Sequence, residues 1–215
     1  TYEKQLIAVI PDIVSSARSD ALQAVKRGHT SHLNKTKLRE SYKEHATPII
    51  KNCLDTFIKN GMDLVAPKNP HKDLPIIPPV VSQAAIDWLK TRINWAAMQI
   101  GESMADELAQ SLAEGYTLGE SIPDLTARVE EFFDDPVRAQ RIARTETITA
   151  SNQGALFGYD EAGCDECEFY TAQDEKTCDL CNGMNGMIFK VADATNVITG
   201  STHPNCRCCW LPVIK

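Results

Sequence analysis

Residues 202–210 read THPNCRCCW, which places one histidine, one proline and three cysteines in nine positions. Upstream, TCDLC at residues 177–181 carries Cys178 and Cys181 as a Cys-x-x-Cys pair, and HPNC carries His203 and Cys206 at the same spacing after the intervening residues 182–202. Two tight turns that each contribute two ligands are the usual construction of a closed tetrahedral zinc site, because both side chains of such a turn reach one ion. The expectation is therefore one structural zinc ion on Cys178, Cys181, His203 and Cys206. Four protein ligands leave no position for water, so the metal would supply folding energy rather than chemistry. Spacing leaves alternatives open. On an extended backbone Cys206 and Cys208 point the same way and Cys209 the opposite way, so Cys208 competes with Cys206 as fourth ligand. Cys164 and Cys167 form a second Cys-x-x-Cys that could replace His203 and one other ligand, build a second site or close a disulfide. Disulfides or reduced buried thiols are the alternative to any metal.

Working outward, the segment around these residues changes from helical to strand-like. CEFYTAQ (167–173), MIFKV (187–191) and CRCCWLPVI (206–214) are rich in β-formers and separated by turn residues such as Asn182, Gly183, Asn185 and Gly186. The apolar content is thin for an independent core, and small elements of this kind are often held together by a metal. The chain as a whole therefore reads as α+β: a mostly helical body closed by a small C-terminal β-rich element stiffened by zinc.

The helical body is punctuated by prolines. Residues 2–27 and about 36–65 read as helices, with Pro11 and Pro48 as kinks or boundaries. APKNPHKDLPIIPPVV (66–81) carries Pro67, Pro70, Pro75, Pro78 and Pro79 and reads as a stiff extended linker. The expected organisation is a helical segment 1–66, a linker 67–81 and a domain 82–215. Ser82 caps a long helix expected to stop at Gly115, Ser121 starts a short helix with Pro123 in its first turn, and Asp135 with Pro136 starts another that ends before Gly163. On that last helix Ala139, Ala143, Glu146, Ala150 and Phe157 share a face, so the Glu146 carboxylate needs a cationic or N–H partner. The reading favours a structural contact over a catalytic acid. The long helix has a core stripe (Ile86, Leu89, Ile93, Ala97, Ile100, Met104, Leu108). It has a second apolar face (Ala84, Trp88, Thr91, Trp95, Met98) that continues as Glu102 and Asp106. That second face is either buried between helices of the same chain or docked on a partner, a second copy included.

Composition bounds the rest. The 215 residues are 43% hydrophobic with a net charge of −7, enough for one large or two modest cores and unfavourable to nucleic-acid binding by the molecule as a whole. One basic stretch interrupts this balance: Lys26, Arg27, Lys35, Lys37, Arg39, Lys43 and Lys51, with His29, His32 and His45, against Glu40 and Glu44. It reads as a solvated surface or as a contact for DNA. Seven of eight cysteines lie between Cys164 and Cys209 and only Cys53 lies outside, a clustering that favours metal over disulfide stapling and an intracellular, reducing origin. No membrane-spanning run or secretory signal is present, so no membrane partner is expected. The first residue, Thr1, reads as the start of a processed form or of a fragment.

Several motifs in order also carry a resemblance. ARTE (143–146) followed by Asn152 and Gly154 on the same helix, then GYDEAG, DEKTCDLCNGMNG and HPNCRC, resemble the head-morphogenesis domain of tailed phages, the family of the phage Mu F protein and related minor head proteins. The resemblance spans roughly residues 82–213 and is specific from Arg144 onward. The family pattern falls on Arg144, Thr145, Glu146, Asn152, Gly154, Asp174, Thr177, Cys178, Cys181, Gly186, His203, Pro204, Cys206, Arg207 and Cys208, while Cys164, Cys167 and Cys209 depart from it. It implies a minor capsid protein of the virion, made in the host cytoplasm and located in the capsid interior. There it would associate with portal and capsid proteins in head assembly, DNA packaging or ejection, and it would not be an enzyme. Some relatives carry appended toxin or enzyme domains, for which the chain's end at Lys215 is read as leaving no room. The competing reading is a zinc-ribbon nucleic-acid-binding module. Residues 161–215 hold eight acidic side chains (Glu161, Asp165, Glu166, Glu168, Asp174, Glu175, Asp179, Asp193) against four basic ones (Lys176, Lys190, Arg207, Lys215), which argues against it. A zinc deaminase would need His-x-Glu, whereas Pro204 and Asn205 follow His203.

Overall fold

The computed structural model describes residues 1–28, 33–65, 82–195, 197–198 and 202–214. The proline-rich stretch 67–81, His29 and His32 lie outside the described residues. The element order is α1 (Tyr2–Lys26), α2 (Lys35–Val65), α3 (Gln83–Thr117), α4 (Ile122–Phe133), α5 (Pro136–Glu161), β1 (Glu166–Tyr170), α6 (Asp179–Met184), β2 (Ile188–Lys190), a 3-10 turn (Val191–Asp193) and β3 (Cys209–Val213). The fold is α+β, a predominantly helical chain closed by a three-stranded antiparallel sheet. No described helix is long and apolar enough to cross a membrane.

Local start signals act as the sequence indicates. The Ala85 amide donates to Ser82 Oγ (3.3 Å), Ser121 and Asp124 form a reciprocal capping box on α4, and Asp135 Oδ1 accepts from the amides of Val137 and Arg138. Gly163, at φ +72, follows α5.

Three punctuation signals are overridden. Helices α1 and α2 continue through Pro11 and Pro48 rather than ending there. Each buries a stripe on both sides of its proline: Leu6, Ile13, Val14 and Ala17 on α1, and Leu38, Tyr42, Ile50 and Leu54 on α2. Burial at about 1.5–3 kcal/mol per large side chain outweighs the roughly 3 kcal/mol cost of an internal proline. Gly115 does not stop α3 either; the helix runs on to Thr117 and the left-handed residue is Gly119 (φ +71). A Cβ on Gly115 would lie 2.6 Å from Glu120 Oε2 and from Leu125 Cδ2, so this glycine makes room for the turn into α4.

The chain folds as two compact units that are discontinuous in sequence. One comprises Lys4–Pro48 and Trp88–Ala139, the other Thr1–Glu3, Ile49–Asp87 and Gln140–Lys215. Each draws chain from both sides of residues 67–81. Within the first unit, aliphatic stripes of α1, α2 and α3 and the Leu125, Val129, Phe132 and Phe133 face of α4 are buried. Ion pairs join the side chains of Lys35 and Arg39 to Glu102, Lys37 to Asp20 and Arg18 to Asp134.

In the second unit α5 is buried nearly all round from Thr149 to Gly154, including the polar side chains of Thr149, Ser151, Asn152 and Gln153. It packs against α2 at backbone distance: a Cβ on Gly154 would lie 2.6 Å from the Leu54 carbonyl oxygen, one on Gly158 2.3 Å from that of Ile58, and one on Gly61 2.8 Å from that of Ala155. Only glycine allows this approach.

The sheet order is β2-β1-β3. Its register opposes Phe169 to Trp210 and Cys167 to Phe189. Phe169 and Phe189 both meet the Trp210 ring edge-on, at 5.4 and 5.2 Å between centroids. This aromatic trio shares one core with Leu156 and Tyr159 of α5 and with Ala162 just beyond it, so the sheet borrows its apolar layer from the helix.

Candidate metal centre

The first turn of the centre is built by α6. Cys178 is the N-cap of this six-residue helix, and its Sγ accepts from the Cys181 amide (3.4 Å). The capping geometry is what turns both cysteine side chains to one side. Ahead of it, Asp174 organises the approach: its Oδ1 accepts from the Lys176 amide (3.1 Å) and the Thr177 hydroxyl (3.3 Å).

The second turn, Thr202–Cys206, is held by α5. Asn205 adopts a left-handed conformation (φ 64), its amide donates to Thr145 Oγ1 (2.9 Å), and its side-chain oxygen accepts from Arg144 (3.3 Å). Arg144 also pairs with Glu3. Arg207 then grips Asp174 with both guanidinium nitrogens, which ties the second turn to the first. That contact holds the Asp174 carboxyl well below the usual carboxylate range.

The turns bring five soft donors together. Cys178 Sγ lies 3.2 Å and Cys181 Sγ 3.4 Å from His203 Nε2, and Cys181 Sγ lies 3.8 Å from Cys206 Sγ. Two donor triads result, Cys178–Cys181–His203 and Cys181–Cys206–Cys208, which share Cys181, and each has its donor atoms within 4.8 Å of one another. The donor chemistry fits a zinc-like cation. With metal–sulfur bonds of about 2.3 Å and metal–nitrogen bonds of about 2.05 Å, tetrahedral edges are about 3.8 Å for S–S and about 3.6 Å for S–N, close to the separations observed. His203 Nδ1 donates to the Pro204 carbonyl (2.8 Å), which leaves Nε2 with its lone pair toward the thiols.

Charge is arranged to match. The Cys181 amide lowers the Cys178 pKa. Cys206 is pulled down to about 5, chiefly by the Cys208 thiol that donates to it, while Cys208 itself is pushed up. Burial pushes Cys181 up to about 12. The Pro204 carbonyl, then the Cys206 and Cys178 thiolates, raise His203. Cys206 is thus favoured as a thiolate before any cation arrives, Cys178 is shifted in the same direction, and a bound cation would displace the proton held by Cys181.

The remaining cysteines stand apart from these triads. Cys164 donates to the carbonyls of Glu166 (3.2 Å) and Val213 (3.4 Å), and Cys167 is fully buried in β1 with its thiol pushed up to about 12 by burial. Cys53 lies on α2 against the Thr147 carbonyl. Glu146 is buried and engaged in a polar or electrostatic contact.

Sequence reasoning did not find what holds the sheet in place. Asn152 Nδ2 donates to the Cys208 carbonyl (3.1 Å) and Asn152 Oδ1 accepts from the Trp210 amide (3.0 Å). The Tyr159 hydroxyl donates to the Trp210 carbonyl (2.9 Å). These side chains imitate a neighbouring strand, so the outer edge of β3 is satisfied by α5 rather than left open to another chain. A signal existed: Gly154 and Gly158, four residues apart, mark the face on which α5 meets α2, and Asn152 and Tyr159 lie beside them in sequence.

The model of the family described as "Phage Mu protein F like protein" matches residues 102–211. No curated protein and no solved structure gives a significant match. The matched span is half of the chain and contains Arg144, Thr145, Asn152, Asp174, Arg207 and all five donors. The chain belongs to the phage Mu protein F-like family of phage head morphogenesis proteins.

Proposed function

We propose that this chain is a minor head protein of the virion that docks on portal and inner capsid proteins during head assembly, with one structural zinc ion on Cys178, Cys181, His203 and Cys206. The carrying observation is the family match together with the two donor triads that share Cys181: an ion held there by four protein ligands would have no position for a substrate or a water nucleophile, which suits a stiffened docking module. Two large side chains of the second apolar face of α3, Trp95 and Met98, are 46% and 43% exposed and offer a surface for such a partner. Contact with packaged DNA through Lys26–Lys51 is left out of the proposal. Lys35 and Arg39 share Glu102, Lys37 pairs with Asp20 and Lys51 with Asp55, so three carboxylates offset part of the positive field a phosphate backbone would meet. The acidic balance of the ligand-bearing region speaks against the nucleic-acid reading as well.

Electron microscopy of heads assembled with and without the protein tests the role. Normal, filled, infectious heads in its absence would remove it. Trp95→Ala should leave the melting temperature of the isolated chain unchanged and reduce incorporation into procapsids, with on the order of 2 kcal/mol of association energy lost if the ring is an interface hot spot.

A further inference from the structure

The centre presents one donor more than a tetrahedral ion can take. Cys181 belongs to both triads, so an ion held by it would be near Cys178 and His203 and also near Cys206 and Cys208. The two surplus candidates are held very differently. His203 is partly exposed, on a turn whose attachment to α5 runs through Asn205. Cys208 is 3% exposed, and its own backbone carbonyl is fixed by the buried Asn152 side chain at the start of β3. Cys208 is thus the more rigidly placed of the two.

We infer that Cys208 is a reserve ligand: when His203 leaves, the ion is kept by an all-thiolate set, Cys178, Cys181, Cys206 and Cys208. This rests on the metal-site reading above and extends it. The exchange balances without an oxidant. The imidazole nitrogen leaves as a neutral ligand, the Cys208 thiol loses one proton to solvent as its sulfur bonds the metal, and the site gains one negative charge. Its consequence is mechanical. The Thr202–Asn205 turn can detach from the centre while the Cys178–Cys181 turn and the start of β3 remain joined, so a partner that pulls on this turn need not release the metal.

Cobalt(II) is the probe, added to the full chain purified metal-free under reducing conditions, with d–d absorption, thiolate-to-cobalt charge-transfer intensity and stoichiometry as readouts. The wild type should bind one ion with a three-thiolate, one-imidazole spectrum. His203→Ala should still bind one ion, with the charge-transfer band increased to that of four thiolates, and His203→Ala with Cys208→Ser should weaken binding by at least about a hundredfold. Should His203→Ala fail to fold, His203→Gln replaces it: it should give the four-thiolate spectrum, and His203→Gln with Cys208→Ser should bind no cobalt. Loss of cobalt from His203→Ala, or from His203→Gln, while the wild type binds one ion, overturns the reserve ligand and leaves the metal site standing. No cobalt or zinc on the wild type overturns both.

Discussion

The unit formed by Lys4–Pro48 and Trp88–Ala139 and the C-terminal element Gly163–Ile214 solve the same problem with different resources. The first buries long aliphatic stripes, and its ion pairs sit on partly exposed side chains where each contributes little. The second has three short strands, an aromatic trio and a few point attachments: Asn152 and Tyr159 to β3, Arg207 to Asp174, and the five donors. A broad apolar interface distributes its free energy over many contacts, so single losses are graded. A thin sheet concentrates it, so single losses are local and severe.

The comparison breaks most visibly at the donors. Cys181→Ser removes the residue shared by both triads and should take zinc from one per chain to none by elemental analysis, with loss of aromatic near-ultraviolet dichroism from the sheet and little loss of far-ultraviolet helical signal. Structural zinc contributes on the order of 10 kcal/mol to the fold that holds it. A metal-free wild type with the same melting temperature as the loaded form would remove the contrast altogether.

Packing in the second unit gives the next largest effect. Gly158→Ala forces a methyl carbon to within 2.3 Å of the Ile58 carbonyl oxygen, which α2 can relieve only by moving, and about 3 kcal/mol or more is expected by denaturant titration. A comparable figure, about 2–5 kcal/mol, is expected for Leu108→Ala in the other unit, where a fully buried side chain leaves a cavity. If Leu108→Ala melts only locally, the graded behaviour assigned to the aliphatic unit is wrong.

Asn152→Ala sharpens the contrast at a smaller scale. It strands the buried Cys208 carbonyl and Trp210 amide, at about 1–3 kcal/mol for each unsatisfied group, and amide exchange should quicken in β3 before it does in α5. The smallest effect is at Asp174, whose carboxyl is exposed and held low by Arg207. A group with a depressed folded pKa stabilises above its unfolded pKa, and that contribution is lost as pH falls through the folded value. Asp174→Asn should therefore lower the melting temperature slightly at neutral pH, and the difference from wild type should vanish in acid. A difference that persists in strong acid would assign the Asp174 contact to hydrogen bonding alone.

Much of the helical layout was legible because its signals are local. Ser82, Ser121, Asp135 and Gly163 act on atoms within a few residues of themselves, and each does what its type predicts. At Pro11 and Pro48 only the boundary alternative failed, and Gly115 misled, because their effect depends on what lies across from them: buried stripes carry both helices through proline, and Gly115 is small for the sake of Leu125 and Glu120. The two faces of α3 were visible as a pattern, the buried Ala97 included, yet nothing local said that Trp95 and Met98 would stand exposed while Ala96 is buried.

For the centre, the sequence by itself determined the donor types and the paired turns, because a Cys-x-x-Cys or His-x-x-Cys spacing constrains two side chains that are already neighbours along the chain. Only the tertiary structure decided which of eight cysteines meet. It places Cys208 with Cys181 and Cys206, leaves Cys164 and Cys167 against backbone carbonyls and the core of the sheet, and sets Thr145 and Arg144 as the supports of the second turn and Asn152 as that of β3. The reason is separation: Asn152 and Trp210 are 58 positions apart, and no periodicity in either segment encodes a hydrogen bond that exists only once α5, seated on α2 through Gly154 and Gly158, has offered its side to the last strand.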